Sequence, residues 1–243
     1  MIKLEKVSLP YALSNVSCTI SQGRLVGIMG ANGAGKSTLL KAIAGILLPA
    51  SGQILLKNCN INTMTTQAKS TAIAYFAQNT AIYWDLSVYD VIALGLLHSL
   101  PATAEQQKVR SVSEQFSIRH LLDKPFQRLS GGEKARVQLA RCCIKDTPLL
   151  LADEPVASLD PYYQIDIMEQ LKALTMEKTC VVAIHHLSLA YRFCDEIILL
   201  GNGGLIAAGN TQAVLNAENL AKAFGVKAEI DTARREIIGV EKL

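Results

Sequence analysis

A glycine-rich segment between an apolar run and a helical pattern constrains this chain more than any other feature. The segment is Gly30-Ala31-Asn32-Gly33-Ala34-Gly35-Lys36-Ser37; the apolar run Leu25 to Met29 precedes it, and a helix predicted from Thr38 to Ile46 follows. A strand, a glycine-rich loop and a helix in this order form a P-loop, because backbone N–H groups and the helix N-terminus surround phosphate oxygens. Lys36 adds positive charge, and the Ser37 hydroxyl can bind Mg²⁺. The sequence therefore predicts a nucleoside triphosphate site.

Further apolar runs predict a parallel sheet around this loop. Their length and composition are typical of strands that are buried on both faces. These runs are Ala72 to Phe76, Leu149 to Ala152, Cys180 to Ile184 and Ile197 to Leu200. From about Val88 to Lys145 the apolar residues recur at helical spacing instead. We therefore predict an α/β core with an inserted helical lobe, and we leave residues 228–240 open between a hairpin and a frayed end.

Composition narrows the cellular setting. Half of the 243 residues are hydrophobic, yet no run approaches the roughly 18 to 20 apolar residues of a membrane-spanning helix. The start of the chain also lacks the apolar stretch of a signal peptide, so we expect a cytoplasmic location. A net charge of +3 is too small to indicate a nucleic-acid partner. The six cysteines show no metal-ligand spacing, and we expect reduced core residues.

Two adjacent acids follow the run Leu149 to Ala152. We expect Asp153 at the carboxyl end of a strand beside the P-loop strand, where a carboxylate can hold Mg²⁺ through water. Glu154 would then face the γ-phosphate and polarise the attacking water. A solvated turn would explain two such acids alone about as well, and only the P-loop makes the catalytic interpretation the stronger one.

The segment Leu129-Ser130-Gly131-Gly132-Glu133, with Arg136 and Leu139-Ala140-Arg141 after it, resembles the signature of the ABC ATPase family. The resemblance implies a P-loop NTPase core of RecA-like type, an inserted α-helical subdomain and an N-terminal antiparallel β subdomain. It implies one ABC ATPase domain over 1–243, with the core in 1–78 and 148–243 and the helical subdomain in 79–147. It also implies a homodimer in which Ser130, Gly131 and Gly132 reach the nucleotide held by the partner's P-loop.

Other motifs of the family occur in the expected order. Gln78 is similar to the glutamine that senses the γ-phosphate and Mg²⁺, Ser158-Leu159-Asp160 to the D-loop, and His185 to the switch histidine. The resemblance places further contacts with ATP at Thr38, Glu133, Asp160 and Tyr11. Tyr11 would stack on adenine, although its hairpin is short for the family and simple edge packing is the alternative. Two positions depart from the pattern: His186 replaces the usual Asp, and His98 replaces an Arg.

Within the family the chain resembles the ATPases of importers for siderophores, haem and cobalamin. The tract 187–195, Pro161-Tyr162-Tyr163-Gln164-Ile165 and residues 88–95 carry that likeness. It implies two transmembrane permease subunits as partners and, indirectly, a substrate-binding protein. A zinc or manganese importer, an exporter and a soluble non-transport ATPase are the alternatives. In residues 79–89, which include Tyr83, Trp84, Leu86 and Tyr89, we expect either a permease docking site or packing of the helical lobe.

Overall fold

The computed structural model describes residues 1–78, 82, 84–96, 100–157, 159–231 and 236–242. In chain order the strands are β1 Ile2–Leu9, β2 Leu13–Ile20, β3 Leu25–Met29, β4 Ser51–Leu56, β5 Cys59–Asn60, β6 Ile73–Phe76, β7 Leu149–Asp153, β8 Thr179–Ala183, β9 Glu196–Gly201, β10 Gly204–Asn210, β11 Val226–Asp231 and β12 Glu236–Lys242. The helices are α1 Lys36–Ile43, α2 Thr66–Ala72, α3 Val88–Ala93, α4 Ala102–Gln115, α5 Gly131–Cys143, α6 Pro161–Leu174, α7 Leu187–Phe193, α8 Thr211–Val214 and α9 Ala217–Phe224. Single 3₁₀ turns occur at Ile61–Thr63, Arg119–Leu121 and Phe126–Arg128.

The central sheet has the strand order β10-β9-β3-β8-β7-β6. Strands β9, β3, β8, β7 and β6 are parallel, and β10 pairs antiparallel with β9 at one edge. Every residue of β3, β7 and β8 is buried, because helices or a second sheet cover both faces. The predicted parallel sheet is therefore confirmed, with strand ends that move by one or two residues.

Two hydrophobic clusters lie on opposite faces of this sheet, because alternate residues of a strand point to opposite faces. Val26 and Ile28 of β3 pack with α1 and the N-terminal strands. Leu25 and Met29 of the same strand belong to the cluster formed with the helices after residue 87. The P-loop strand β3 therefore contributes side chains to both hydrophobic clusters, one on each face of the sheet.

The N-terminal antiparallel sheet has the order β2-β1-β4-β5. A three-residue turn joins β1 to β2, with Leu9 paired to Leu13 across it. Tyr11 lies in that turn at a φ of 59°, and its side chain is fully exposed. The alternative of edge packing for Tyr11 is therefore wrong.

The inserted segment is helical, as its periodicity predicts. The turn that follows α3 passes so close to α5 that a Cβ atom added at Gly95 would meet the Arg141 carbonyl oxygen at 2.1 Å. Glycine is therefore required at position 95 for this turn to pack on α5. His98 and Tyr83 lie outside the described residues.

The structure answers the question left for the C-terminal segment and corrects one of the cysteine predictions. Strands β11 and β12 form a hairpin, which answers the question left for residues 228–240. The described cysteines are free, and Cys180 and Cys194 are buried, but Cys59 is exposed in β5, so its assignment to the core is wrong. Burial raises the pKa of the Cys142 thiol to about 11 and that of Cys180 to about 12, which keeps both protonated.

Across the described ranges, no helix combines the length and apolar character needed to cross a bilayer.

Candidate functional site: a P-loop nucleotide site

The P-loop lies at the carboxyl end of β3 and leads into α1. Gly30, Gly33 and Gly35 have φ angles of 154°, 80° and 91°, a region that non-glycine residues rarely adopt. A Cβ atom at Gly30 would lie 2.5 Å from the Leu200 carbonyl oxygen, and one at Gly35 would lie 2.9 Å from the Leu13 side chain. The loop conformation therefore depends on glycine for both backbone geometry and space.

Helix α1 ends at Ile43, three residues earlier than predicted, before Gly45 at a φ of 68°.

Lys36 is almost completely buried at the start of α1 and points into the loop. Its ammonium group donates hydrogen bonds to the carbonyl oxygens of Gly30 at 3.0 Å and Ala31 at 3.1 Å. Burial lowers the pKa of Lys36, while the negative charges of Glu154 and Asp153 oppose that shift. The loop thus holds a cation at its centre, with carboxylates as the nearby charges.

Asp153 ends β7 and joins the P-loop helix to the rest of the site. The Ser37 hydroxyl donates a hydrogen bond to Asp153 Oδ1 at 2.8 Å, and the Tyr75 hydroxyl donates one to Oδ2 at 3.3 Å. Burial, followed by the negative charge of Asp153, raises the pKa of Tyr75. The expectation that β7 lies beside the P-loop strand is wrong, because β8 lies between them. Ser37 nevertheless reaches Asp153, since α1 packs against both β7 and β8.

Glu154 follows in a left-handed backbone conformation with a φ of 51°, which turns the chain sharply away from β7. Its amide donates to the Ala183 carbonyl oxygen at 3.2 Å. The Gln78 side-chain amide donates to Glu154 Oε2 at 2.6 Å. Gln78, after β6, and Glu154, after β7, are therefore in contact although 76 positions separate them along the chain.

His185 follows β8, and its ring lies beside that of His186. The ring centroids are 4.2 Å apart and the planes are tilted by 38°. His186 precedes α7 without a side-chain hydrogen bond to the helix, a bond that an Asp can make at that position. Partial burial and the neighbouring His185 lower the pKa of His186, and Glu154 opposes this shift. His186 therefore carries less positive charge than an ordinary histidine.

The signature forms the N-terminus of α5. Ser130 is the N-cap: its hydroxyl accepts a hydrogen bond from the Glu133 amide at 3.3 Å, and Glu133 Oε2 accepts one from the Ser130 amide at 2.8 Å. The Ser130 hydroxyl also donates to Glu133 Oε2 at 2.9 Å. Hydrogen bonds from the Ser130 backbone and hydroxyl lower the pKa of Glu133. The first amides of α5, a helix of 13 residues, have no acceptor within the helix, which makes its N-terminus a favourable position for an anion.

The structure brings some predicted site residues together and leaves others apart. Hydrogen bonds join Ser37 to Asp153 and Gln78 to Glu154, and the charges of both carboxylates act on Lys36. Ser130, Gly131 and Gly132 form no hydrogen bond with these groups. Asp160 is exposed just before α6, and Ser158 lies outside the described residues.

Sequence reasoning missed two tyrosines. Tyr75 contacts Asp153, and Tyr163 contacts the signature glycine Gly132. Tyr75 occupies an ordinary alternating position of a β-strand, and no local pattern distinguishes it. Tyr163 stands in a tract that the family resemblance already highlighted, three residues after Asp160, but only the packing of α6 shows its contact.

The fold and this site define a P-loop ATPase. Residues 13–157 match the family model described as ABC transporter. The hemin import ATP-binding protein HmuV of Bordetella parapertussis is 37% identical over 230 residues, which cover 90% of this chain and 88% of the relative. The cobalamin import ATP-binding protein BtuD of Halobacterium salinarum is 34% identical over 90% of this chain and 56% of its own length. The chain belongs to the ABC transporter family.

Solved structures agree with this assignment. CbiO1 from Clostridium perfringens, part of the ABC transporter complex cbiONQ, superposes with a TM-score of 0.80 at 30% identity, covering 90% of this chain and 92% of the other. The dimeric post-hydrolysis state of the ATP-binding cassette MJ0796 bound to ADP and Pi gives 0.77 at 26% identity, covering 87% and 99%. The predicted fold class is therefore confirmed.

Proposed function

We propose that the chain is the ATP-hydrolysing subunit of an importer for an iron complex, such as a siderophore or haem, or for cobalamin. The observation that carries this proposal is the 37% identity to a hemin import ATP-binding protein along 90% of the chain. The similarity to a cobalamin import protein supports the same group of large chelated substrates. We also propose a single ABC ATPase domain over 1–243, with a nucleotide-binding core in 1–78 and 148–243 and a helical subdomain in 79–147.

The contacts of the P-loop residues support their roles in ATP hydrolysis. The P-loop amides and Lys36 bind the phosphates of ATP, so that the Lys36 ammonium exchanges its two carbonyl partners for phosphate oxygens. Thr38 continues this contact at the start of α1. Tyr11 is exposed two residues before Leu13, which packs on the P-loop, and its ring is available for adenine.

The donor set around Asp153 fits Mg²⁺. A hydroxyl from Ser37, an amide oxygen from Gln78 and a carboxylate from Asp153 are oxygen ligands of the kind that Mg²⁺ accepts alongside water. When bound there, Mg²⁺ neutralises negative charge on the phosphates. Glu154, one residue further, polarises the attacking water, and His185 holds the γ-phosphate from the next strand. The hydrogen bond from Gln78 to Glu154 links a proposed metal ligand to the proposed catalytic carboxylate.

A second copy of the chain completes the site. In the first turn of α5 the amides of Gly131 and Gly132 have no acceptor within the helix, and the chain's own P-loop residues bond to other groups. We propose that these amides bind the γ-phosphate held by the partner subunit, with Glu133 and Asp160 at the same interface. The dimeric form of the similar MJ0796 structure supports the pairing of two such chains. Closure of the dimer on ATP and its opening after hydrolysis would drive two permease subunits at the inner face of the membrane.

Reconstitution tests the transported class. We expect ATP-dependent uptake of haem, a ferric siderophore or cobalamin into proteoliposomes that contain this chain, its permease and the associated binding protein. Uptake of zinc and of manganese is measured for comparison. Outward transport of haem, the siderophore and cobalamin is measured in the same proteoliposomes. Uptake of a free metal ion with no response to any chelate would contradict the proposed substrate class.

Trp84 supplies a test of the permease contact. Its side chain is 72% exposed, whereas Ile82 is buried and Leu86 and Tyr89 pack on the helical lobe. Packing of the lobe therefore explains those neighbours but not the Trp84 ring, and exposed aromatic residues are frequent interface anchors. We expect Trp84→Ala to change the free energy of unfolding by less than about 0.5 kcal/mol while it reduces co-purification with the permease at least tenfold.

Met176→Ala is the matched control, because Met176 is 92% exposed in the turn before β8, at the opposite end of the sheet strands. Thermal melting and nucleotide binding of the isolated subunit verify that both variants fold. A Trp84→Ala variant that aggregates alone, or that binds the permease normally, would rule out the docking role.

A further inference from the structure

An aromatic side chain from α6 lies directly against the signature at the start of α5. A Cβ atom added at Gly132 would meet Cγ and Cδ1 of the Tyr163 ring at 2.3 Å. Observed Cβ atoms do not approach so closely, and Cγ is bonded to the Tyr163 stem, so only a new rotamer or a backbone shift could relieve the clash. The ring therefore requires glycine at position 132, independently of any phosphate that approaches the helix.

Further contacts connect the same two segments. The Arg136 guanidinium, one turn along α5, lies 5.6 Å from the centroid of the Tyr163 ring, and its Nε is 3.5 Å from Asp166 Oδ2 on α6. At the neighbouring signature glycine, a Cβ atom at Gly131 would be in ordinary contact with Leu159, at 3.6 Å. Leu159 directly precedes Asp160. The signature and the segment 159–160 are thus joined by packed side chains, with Tyr163 at the closest approach.

We propose that Tyr163 is a positioning residue for ATP hydrolysis. Its ring fixes the start of α5 relative to residues 159–160, so that the signature and the D-loop segment present themselves to the partner subunit as one rigid unit. The ring acts through its contact with Gly132, not on the nucleotide. This inference rests on the proposed function, because it needs the signature to serve the nucleotide of the partner.

Substitutions at Tyr163 and Gly132 test the contact itself. We expect Tyr163→Ala to lower kcat about tenfold, which corresponds to about 1.4 kcal/mol, with nucleotide affinity of the isolated subunit within about twofold of wild type. Tyr163→Phe keeps the ring and should keep the rate. Gly132→Ala should be severely impaired, and adding Tyr163→Ala should restore part of its activity, because the ring that clashes is gone. Tyr163→Leu replaces Tyr163→Ala if the latter does not fold.

A mixed dimer separates positioning from a general loss of stability. One subunit carries Lys36→Ala, so the remaining competent site combines the other subunit's P-loop with the signature of the Lys36→Ala subunit. Tyr163→Ala in the Lys36→Ala subunit should lower the activity of this dimer about tenfold, and the same change in the other subunit should have little effect. Two affinity tags allow purification of each mixed species.

The outcomes separate this inference from the proposed function. If the wild-type chain does not hydrolyse ATP, the proposed function fails. If it does, but Tyr163→Ala retains the wild-type kcat, or its effect is equal in both subunits, or the effects of Gly132→Ala and Tyr163→Ala simply multiply, Tyr163 does not position the signature.

Discussion

Glu154→Gln is expected to reduce the rate of ATP hydrolysis about a thousandfold, or about 4 kcal/mol in the activation barrier, while ATP still binds. Glutamine has nearly the same shape and the same backbone strain at this left-handed position, and its amide oxygen can still accept the hydrogen bond from Gln78. The carboxylate that polarises water is the group that is lost. Steady-state phosphate release measures the effect, and size-exclusion chromatography with ATP should show a more stable dimer.

Glu177→Gln is the matched control, because Glu177 is an exposed carboxylate in the turn between α6 and β8. The control should hydrolyse ATP at the wild-type rate. Wild-type turnover in Glu154→Gln would remove Glu154 from the catalytic role, whereas loss of ATP binding would show that the substitution distorts the P-loop region instead.

A mixed dimer of Ser130→Arg and Lys36→Ala subunits is expected to regain close to half of the wild-type ATPase activity, although each variant homodimer is almost inactive. If the signature acts across the interface, both substitutions fall in one site and the other site keeps a wild-type P-loop and a wild-type Ser130. Loss of an oxyanion or phosphate donor typically costs about a hundredfold or more in rate, so the difference is easily measured.

If the signature instead served the P-loop of its own chain, each site of the mixed dimer would carry one defect and the dimer would stay inactive. Replacement of Ser130 also removes the capping box, which stabilises α5 by about 1 kcal/mol. Thermal melting of Ser130→Ala and Ser130→Arg measures that cost separately. Recovery of activity on mixing cannot arise from a subunit that is merely unfolded.

The P-loop, the signature helix and the parallel strands were predictable because their causes are local. Glycines at Gly30, Gly33 and Gly35 set the loop conformation within eight residues, and Ser130 with Glu133 starts α5 through hydrogen bonds three positions apart. A strand in which every residue is apolar is stable only where both of its faces are buried. The order of the strands could not be predicted in the same way. The pattern of apolar residues identifies each strand, but it does not show that β8 lies between β7 and β3.

The sequence pattern also could not predict which aromatic side chains are exposed. Trp84, Tyr11 and Tyr163 are all aromatic residues near recognised motifs, yet the first two are exposed and the third lies against a glycine. Whether an aromatic ring is buried depends on the element that reaches it from elsewhere in the chain, and hydrophobicity alone does not decide it. The same reason separates exposed Cys59 from buried Cys180.

By itself the sequence determined the chemistry of this protein: a phosphate-binding loop, two acids after a buried strand and a signature helix, each specified by residues within a few positions of one another. Only the tertiary structure decided which of these groups meet. Ser37 bonds to Asp153, Gln78 to Glu154, and Tyr163 packs on Gly132, over separations of 116, 76 and 31 residues. Such contacts follow from strand order and from the packing of helices on the sheet, which are properties of the whole core, whereas a motif needs only the backbone geometry of its own residues.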